Sequence, residues 1–143
     1  MKLKKLVALV SSAILAFSLV GCSIEGEENG ASSDGSLVGN GSIGFSVSTL
    51  NNPFFVTLSQ GAKDKAKEEG RDLIVVDAGD DAAKQTSDIE DLISKNISVL
   101  IVNPVDSDAV APAVKDAIAK GIKVISLDRA VNGVDVDLSL IHI

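Results

Sequence analysis

The sequence contains no tryptophan or tyrosine, and only one cysteine, one histidine and four phenylalanines. A core built from such a chain must be aliphatic, which suits buried parallel strands covered by helices. A single cysteine allows neither an internal disulfide nor a four-thiolate metal site. A Ser-His-Asp or Cys-His catalytic centre would have to use His142, next to the chain end, so we expect no enzyme of that kind.

The chain also lacks a basic surface. Its formal net charge is −7, and residues 1–21 contribute three lysines and no acidic residue, so removing those three positive charges leaves −10 on the rest. Nucleic-acid binding requires a basic face, and so does adhesion to anionic lipid through surface charge. We therefore expect no nucleic-acid partner.

Motifs for phosphate, nucleotide or calcium binding are absent as well. GxxxxGK[ST] does not occur, and Gly39-Asn40-Gly41 precedes the first predicted strand, whereas a dinucleotide fingerprint would follow it. Asp77, Asp80 and Asp81 lie close together but lack the alternating ligands and closing Glu of a calcium loop. We interpret them as a solvated turn and helix cap, and predict no cofactor and no metal ion.

Residues 1–21 have the pattern of a secretion signal peptide. A positive n-region precedes an apolar stretch from Leu6 to Val20, which is too short and wrongly flanked for a predicted membrane span. The following Gly21-Cys22 resembles the lipobox of bacterial lipoproteins. A lone cysteine can also be a small buried hydrophobe, but this position favours lipidation of Cys22. We expect an extracytoplasmic protein, either anchored to the bacterial cell membrane by acyl chains or periplasmic.

Residues 22–42 are mostly Gly, Ser, Glu, Asp and Asn, which predicts a flexible acidic linker. Beyond it, strand and helix patterns alternate. The predicted strands are 43–48, 72–77, 98–102 and 122–127, and the predicted helices are 53–69, 82–95 and 108–120. This order predicts an α/β fold, a doubly wound parallel sheet with right-handed crossovers and helices on both faces.

Capping residues predict where the helices begin. Asn52 is the predicted N-cap of the first helix, and Asp80 or Asp81 that of the second. The third is predicted to begin after Asp106 or Ser107, which puts Pro112 near its first turn, where proline is tolerated. In the first strand, Gly44 and Ser46 are small enough to let a helix pack closely.

Polar and aromatic side chains follow the predicted carboxyl ends of the strands, the edge where parallel sheets bind ligands. Amides, a carboxylate, a guanidinium and aromatic faces suit a small polyhydroxylated ligand, with Asp128 accepting from hydroxyls and Arg129 donating in a fork. The alternative is that Asp128 and Arg129 only pair with each other at a loop.

Three runs resemble the periplasmic ribose-binding protein family, the substrate-binding components of ABC sugar importers. They are VSTLNNPFF at 47–55, IVNPVDSDAV at 101–110 and VISLDRAV at 124–131, and the likeness covers about 43–133. The resemblance implies the N-terminal lobe of a type 1 periplasmic-binding-protein fold, in which two lobes close on a sugar. It also implies that the sugar is contacted by Ser48, Asn52, Phe54, Phe55, Asn103, Asp128 and Arg129.

Two of these residues have a second predicted role. Asn52 is also the predicted helix cap, and Phe55 also belongs to an inward-facing stripe at helical spacing, whereas we assign Phe54 to the sugar.

The chain departs from the family towards its end. The second lobe, the hinge strands and the last part of the first lobe have no counterpart, so we expect the lobe at 43–133 to be incomplete and to bind sugar weakly by itself. The tail at 134–143 does not match. Its end, Leu138 to Ile143, resembles a translated transposon-end adapter, so we interpret it as artefactual; the alternative is a genuine apolar tail, which could lie on a sheet edge and promote aggregation.

The resemblance implies a membrane-anchored receptor that delivers ribose or a similar monosaccharide to ABC permease subunits. A sugar-sensing partner of a chemotaxis receptor or a sensor kinase would use the same binding residues and is an open alternative. The effector domain of a lac-repressor-type regulator shares the fold, but it needs an N-terminal helix-turn-helix and a basic surface, which the charge disfavours.

Overall fold

The structure, a computed structural model, describes residues 41–141. The predicted signal peptide at 1–21, the lipidation site Cys22, the linker up to residue 40 and His142 lie outside these residues.

Five parallel strands form one sheet in the order β2-β1-β3-β4-β5. The strands are β1 (Ile43–Val47), β2 (Leu73–Asp77), β3 (Val99–Val102), β4 (Lys123–Leu127) and β5 (Leu138–Leu140), and the helices are α1 (Pro53–Glu68), α2 (Ala82–Ser94) and α3 (Ala111–Ala119). The order of the strands reverses between β1 and β3. The predicted doubly wound parallel α/β fold is confirmed, and the first four strands lie within about one residue of their predicted bounds.

Helices cover both faces of the sheet, as predicted. On one face α1 packs over a cluster formed by Phe45, Val47 and Phe55, with partly buried aliphatic residues around them. On the other face α2 and α3 bury a larger aliphatic cluster that includes Ile89, Leu92, Val114 and the inward residues of β3 and β4. The two clusters divide between the faces because alternate residues of a strand point to opposite sides.

The small residues of β1 let α2 approach the sheet closely. A Cβ atom at Gly44 would lie 2.8 Å from Ile97 Cδ1, closer than real side chains pack, and 3.0 Å from Leu92 Cδ1, which is tighter than most real contacts. Both neighbours are fully buried, so they have little room to move aside. The prediction that small residues in the first strand allow close helix packing is confirmed at Gly44.

Two of the three predicted helix caps are confirmed. The side-chain oxygen of Asn52 accepts a hydrogen bond from Phe54 N at 2.9 Å, and Asp81 Oδ1 accepts one from Lys84 N at 3.0 Å. These bonds satisfy backbone donors that have no partner inside the helix. Asp80, the alternative cap, instead lies in the turn before α2 with a φ of 63°.

The predicted start of the third helix is wrong by three residues. The helix begins at Ala111, and the residue before it, Val110, makes no side-chain cap bond. Asp106 Oδ1 accepts from Asp108 N at 2.9 Å and from Ala109 N at 2.8 Å, which stabilises a turn that precedes the helix. Pro112 therefore stands in the first turn of α3, where its missing N–H leaves no hydrogen bond unmade.

A fifth strand, which the sequence prediction missed, lies at the edge of the sheet beside β4. Its residues Leu138 and Leu140 are 47% and 51% exposed, so the outer edge of the sheet is partly apolar. Asp137 Oδ2 accepts from Val124 N at 2.8 Å, and Lys123 Nζ donates to Asp137 Oδ1 at 3.0 Å. Burial raises the pKa of the Asp137 carboxyl, but the hydrogen bonds from Val124 and Lys123 hold it below its ordinary value.

Between residues 41 and 141, none of the helices combines the length and the apolar character needed to cross a bilayer.

Candidate functional site

The carboxyl ends of β1, β3 and β4 are joined by one buried amide side chain. Asn103 Oδ1 accepts from Ser48 N at 3.2 Å and from the Ser48 hydroxyl. On its other side, Asn103 Nδ2 donates to Leu127 O at 3.2 Å and reaches Asp128 Oδ2 at 3.5 Å. Ser48 and Asn103 are both buried, so this set fixes the relative positions of three strand ends in a low-dielectric environment.

Asp128 occupies a tight turn directly after β4. Its φ is 66°, in the left-handed region that few residues other than glycine adopt. Its N–H donates to Leu140 O at 2.8 Å, and the next residue, Arg129, donates its N–H to Leu127 O at 2.7 Å. The Asp128 side chain is exposed, so its carboxylate can accept from a ligand as well as from Asn103.

Arg129 is held by the loop that follows β3. Its Nη1 donates to Val105 O at 2.8 Å and contacts Pro104 O at 3.4 Å. Among the ion pairs within residues 41–141, none joins Asp128 to Arg129, so the two side chains do not simply neutralise each other. A guanidinium has five N–H donors, so the bonds to the loop leave others for a ligand.

The two adjacent phenylalanines have different environments. Phe54 is 60% exposed, whereas Phe55 is 9% exposed and belongs to the core under α1. Their ring centroids lie 5.2 Å apart with an interplanar angle of 70°. The stripe position predicted for Phe55 is confirmed.

Phe54 borders a depression of about 180 Å³ at the same edge of the sheet as Asp128. The other lining residues are Leu58, Leu127, Asp128 and Leu140. Asn52, two residues before Phe54, is exposed. Its side-chain oxygen caps α1, so only its Nδ2 hydrogens would be available to donate to a ligand.

Asp80 lies in the turn before α2, Asp77 accepts from an N–H of that turn, and Asp81 caps the helix, which confirms the interpretation as a turn and a helix cap. Asp77 Oδ1 accepts from Leu50 N at 3.1 Å and from Gly79 N at 2.9 Å, which ties the loop after β1 to the loop after β2. Within the part of the chain that the structure describes, no group of His, Cys, Asp and Glu side chains could hold a metal ion.

One buried residue at this edge was missed by the sequence reasoning. Gln85 on α2 is fully buried; its Nε2 donates to Asn103 O at 2.9 Å and Ser46 Oγ at 3.1 Å, and its Oε1 accepts from Val105 N at 2.7 Å. The sequence did contain a signal for Gln85. It lies four residues before Ile89 and seven before Leu92, which places an amide on the inward-facing side of α2. A polar side chain on an apolar helix face needs partners across the interface.

Of the seven predicted ligand residues, the structure links three by hydrogen bonds and places two beside them. Asn103 joins Ser48 to Asp128, Arg129 is fixed against the loop after Asn103, and Phe54 borders the same depression as Asp128. Phe55 packs in the core, and Asn52 caps α1.

Comparisons with known proteins identify relatives of this lobe. A family model described as a periplasmic binding protein domain matches residues 43–139, which extends past the 43–133 delimited by the three motifs. Ribose import binding protein RbsB of Bacillus subtilis (strain 168) is 44% identical over 128 residues, which cover 90% of this chain and 42% of that protein. RbsB of Escherichia coli (strain K12) is 40% identical over 129 residues, covering 90% and 39%. The chain thus spans about two fifths of the length of these curated relatives.

Solved structures show the same fold. The Caulobacter myo-inositol binding protein, bound to myo-inositol, superposes with a TM-score of 0.64 and 34% identity over 68% of this chain and 34% of that one. An ABC transporter solute binding protein from Mycobacterium smegmatis, with bound glycerol, gives a TM-score of 0.62 and 43% identity over 69% and 33%.

Proposed function

The chain belongs to the periplasmic binding protein family, and we propose that it is the first lobe of a solute-binding component of an ABC importer for ribose or a similar monosaccharide. The observation that carries this proposal is the hydrogen-bonded set at the strand ends, where Asn103 joins Ser48 to Asp128 and Arg129 is fixed beside them.

The chemistry of this set suits a sugar. The exposed Asp128 carboxylate accepts from vicinal hydroxyls, and the free N–H groups of Arg129 donate to a ring or hydroxyl oxygen. The exposed face of Phe54 offers an apolar surface for the C–H face of the ring. Several of the relatives are named for ribose import, which supports ribose as the first ligand to test.

One lobe supplies one wall of such a site, and a facing second lobe would supply the other. We infer that closure of the two lobes around a hinge buries the sugar, and that the closed form is delivered to ABC permease subunits. The size of the relatives supports this arrangement, since the chain spans about two fifths of their length. The sugar leaves chemically unchanged, because the role requires only binding and release.

The proposal is tested with a two-lobed chimera, in which residues 43–133 replace the matching part of the Bacillus subtilis relative. Isothermal titration calorimetry is expected to give a dissociation constant for ribose of about 1 µM or lower. D-xylose, D-allose and myo-inositol, titrated in parallel, show which related ligand is preferred. A chimera that is folded by circular dichroism and gives no heat with any of these ligands would refute the proposal, provided the unmodified relative binds ribose.

We also propose that acyl chains on Cys22 hold the protein at the outer face of the cell membrane. Replacing Cys22 by Ser is expected to abolish incorporation of labelled palmitate in a bacterial host and to shift the protein out of the membrane fraction, because the thiol is the site of acylation. Ser23→Ala, one residue further along, is the matched control and should keep the label. Persistent labelling of the Cys22→Ser variant would contradict the assignment.

A further inference from the structure

Gln85 bonds through both polar atoms of its amide to the loop that follows β3, and its Nε2 also donates to Ser46 Oγ on β1 at 3.1 Å. Its Nε2 donates to Asn103 O at 2.9 Å, and its Oε1 accepts from Val105 N at 2.7 Å, so the side chain grips the backbone on both sides of Pro104. Pro104 has no N–H and cannot fix its own position by donating a hydrogen bond. The fully buried amide of Gln85 is thus bonded to both peptide groups around Pro104.

The same short loop carries the acceptors that hold Arg129. Its Nη1 donates to Val105 O at 2.8 Å and contacts Pro104 O at 3.4 Å. A shift of this loop would move both carbonyls and with them the guanidinium. It would also move the backbone of Asn103, whose side chain reaches Ser48 and Asp128.

We propose that Gln85, on α2, is a positioning residue for the ligand-binding edge, which fixes Arg129 and Asn103 through the backbone of the loop at 103–105 without touching the ligand itself. This inference rests on the function proposed above. Supporting side chains of this kind matter because a binding group displaced by a fraction of an ångström loses its hydrogen-bond geometry.

Packing alone does not account for an amide at this position. Ile89 and Leu92 supply the apolar contacts of α2, and a methionine at position 85 would fill a similar volume without a polar group to desolvate. The amide has a specific use because its donor and acceptor both have partners on the loop or on Ser46.

The test compares three variants of the full chain, Gln85→Met, Thr86→Val and Leu92→Ala. Gln85→Met removes the amide at similar side-chain volume. Thr86→Val changes the next residue of α2, whose hydroxyl bonds to Ala82 O and lies 3.4 Å from Ala109 O, away from the loop at 103–105. Leu92→Ala opens a cavity under the same helix, so it lowers stability while leaving the Gln85 bonds in place.

Nuclear magnetic resonance measures the surroundings of Arg129, which would not change if Gln85 only stabilised the fold. In Gln85→Met we expect faster hydrogen exchange at the Val105 amide and shifted guanidinium resonances of Arg129, with protection of the β1 and β3 amides retained. Thr86→Val should leave the Val105 and Arg129 signals as in the wild type, and Leu92→Ala should leave the Arg129 resonances in place despite its lower stability. Unchanged Val105 and Arg129 signals in Gln85→Met would overturn the proposal.

Ribose binding in the two-lobed chimera provides the second readout. Gln85→Met is expected to weaken binding about 10-fold or more, the effect of a misplaced charged donor, whereas Leu92→Ala binds within about 2-fold of the wild type. If the wild-type chimera gives no heat with ribose or any of the related ligands, the proposed function is refuted while the resonance measurements still decide the role of Gln85. If the wild type binds and Gln85→Met binds equally well, the positioning role is refuted and the proposed function stands.

Discussion

Replacing Arg129 by Ala is expected to weaken ribose binding by about 100-fold or more in the two-lobed chimera. A hydrogen bond from a charged donor contributes about 1.5–3 kcal/mol, and a fork that makes two of them accounts for about 3 kcal/mol or more, which corresponds to a factor of 100 or more. The guanidinium is already held by Val105 O and Pro104 O, so little of this energy is spent on ordering the side chain.

The other arginine of the chain provides a matched control. Arg71 Nη1 also donates to a backbone carbonyl, Gly41 O at 3.3 Å, but it precedes β2 and so lies at the amino end of the sheet. Arg71→Ala should bind ribose within about 2-fold of the wild type, since no ligand group is expected there. Arg129→Lys keeps the charge but loses the planar fork, and we expect an intermediate affinity. Equal dissociation constants for Arg129→Ala and Arg71→Ala, measured by calorimetry, would refute the assigned role of Arg129.

The sheet could be predicted because its signals are local. Apolar runs of four to six residues alternate with helix patterns, and this alternation leaves few alternatives to a parallel sheet. The helix limits are marked by Asn52 or Asp81 at the N-cap and by Gly70 or Gly121 after the end. The topology then places the residues after β1, β3 and β4 at one edge. The convergence of Ser48, Asn103 and Asp128 therefore follows from strand order alone.

The missed elements depend on contacts between distant parts of the chain. Asp106 accepts from the N–H groups two and three residues later, the same pattern whether it caps a turn or a helix, so sequence could not locate the start of α3. β5 has three exposed residues, and its strand structure comes from pairing with β4, eleven or more residues earlier in the chain. Such short strands are stabilised by the sheet they join and carry little signal of their own.

The partners of the binding residues could not be predicted for the same reason. Arg129 is 24 residues from its acceptor Val105 O, and Gln85 is 18 residues from Asn103 O. The residues that follow each strand can be located from the strand pattern alone. Gln85 lies within a helix and reaches the edge only through the packing of α2 on the sheet, so the strand pattern does not indicate it.

Asn103→Leu is expected to lower the free energy of unfolding by about 2 kcal/mol or more, because each of the two buried polar groups left without a partner costs about 1–3 kcal/mol. Leucine has a similar volume, so the change removes hydrogen bonds without opening a large cavity. The groups left unpaired are Ser48 N and the Ser48 hydroxyl at the end of β1, whereas Leu127 O at the end of β4 loses one donor and keeps Arg129 N. Since a domain is stable by only about 5–15 kcal/mol, this is a large share of the total.

Urea denaturation followed by circular dichroism measures this loss, and Asn132→Leu is the control. Asn132 Nδ2 donates one side-chain hydrogen bond, to Asp108 Oδ1 at 2.9 Å. Both residues are exposed, so water can replace the amide of Asn132 as the partner of Asp108 in the variant. We expect Asn132→Leu to change the free energy of unfolding by less than about 0.5 kcal/mol. If the two variants unfold at the same urea concentration, Asn103 does not hold the strand ends together. In that case the arrangement of Ser48 and Asp128 would have to depend on the backbone alone, and the amide of Asn103 would be free to serve the ligand entirely.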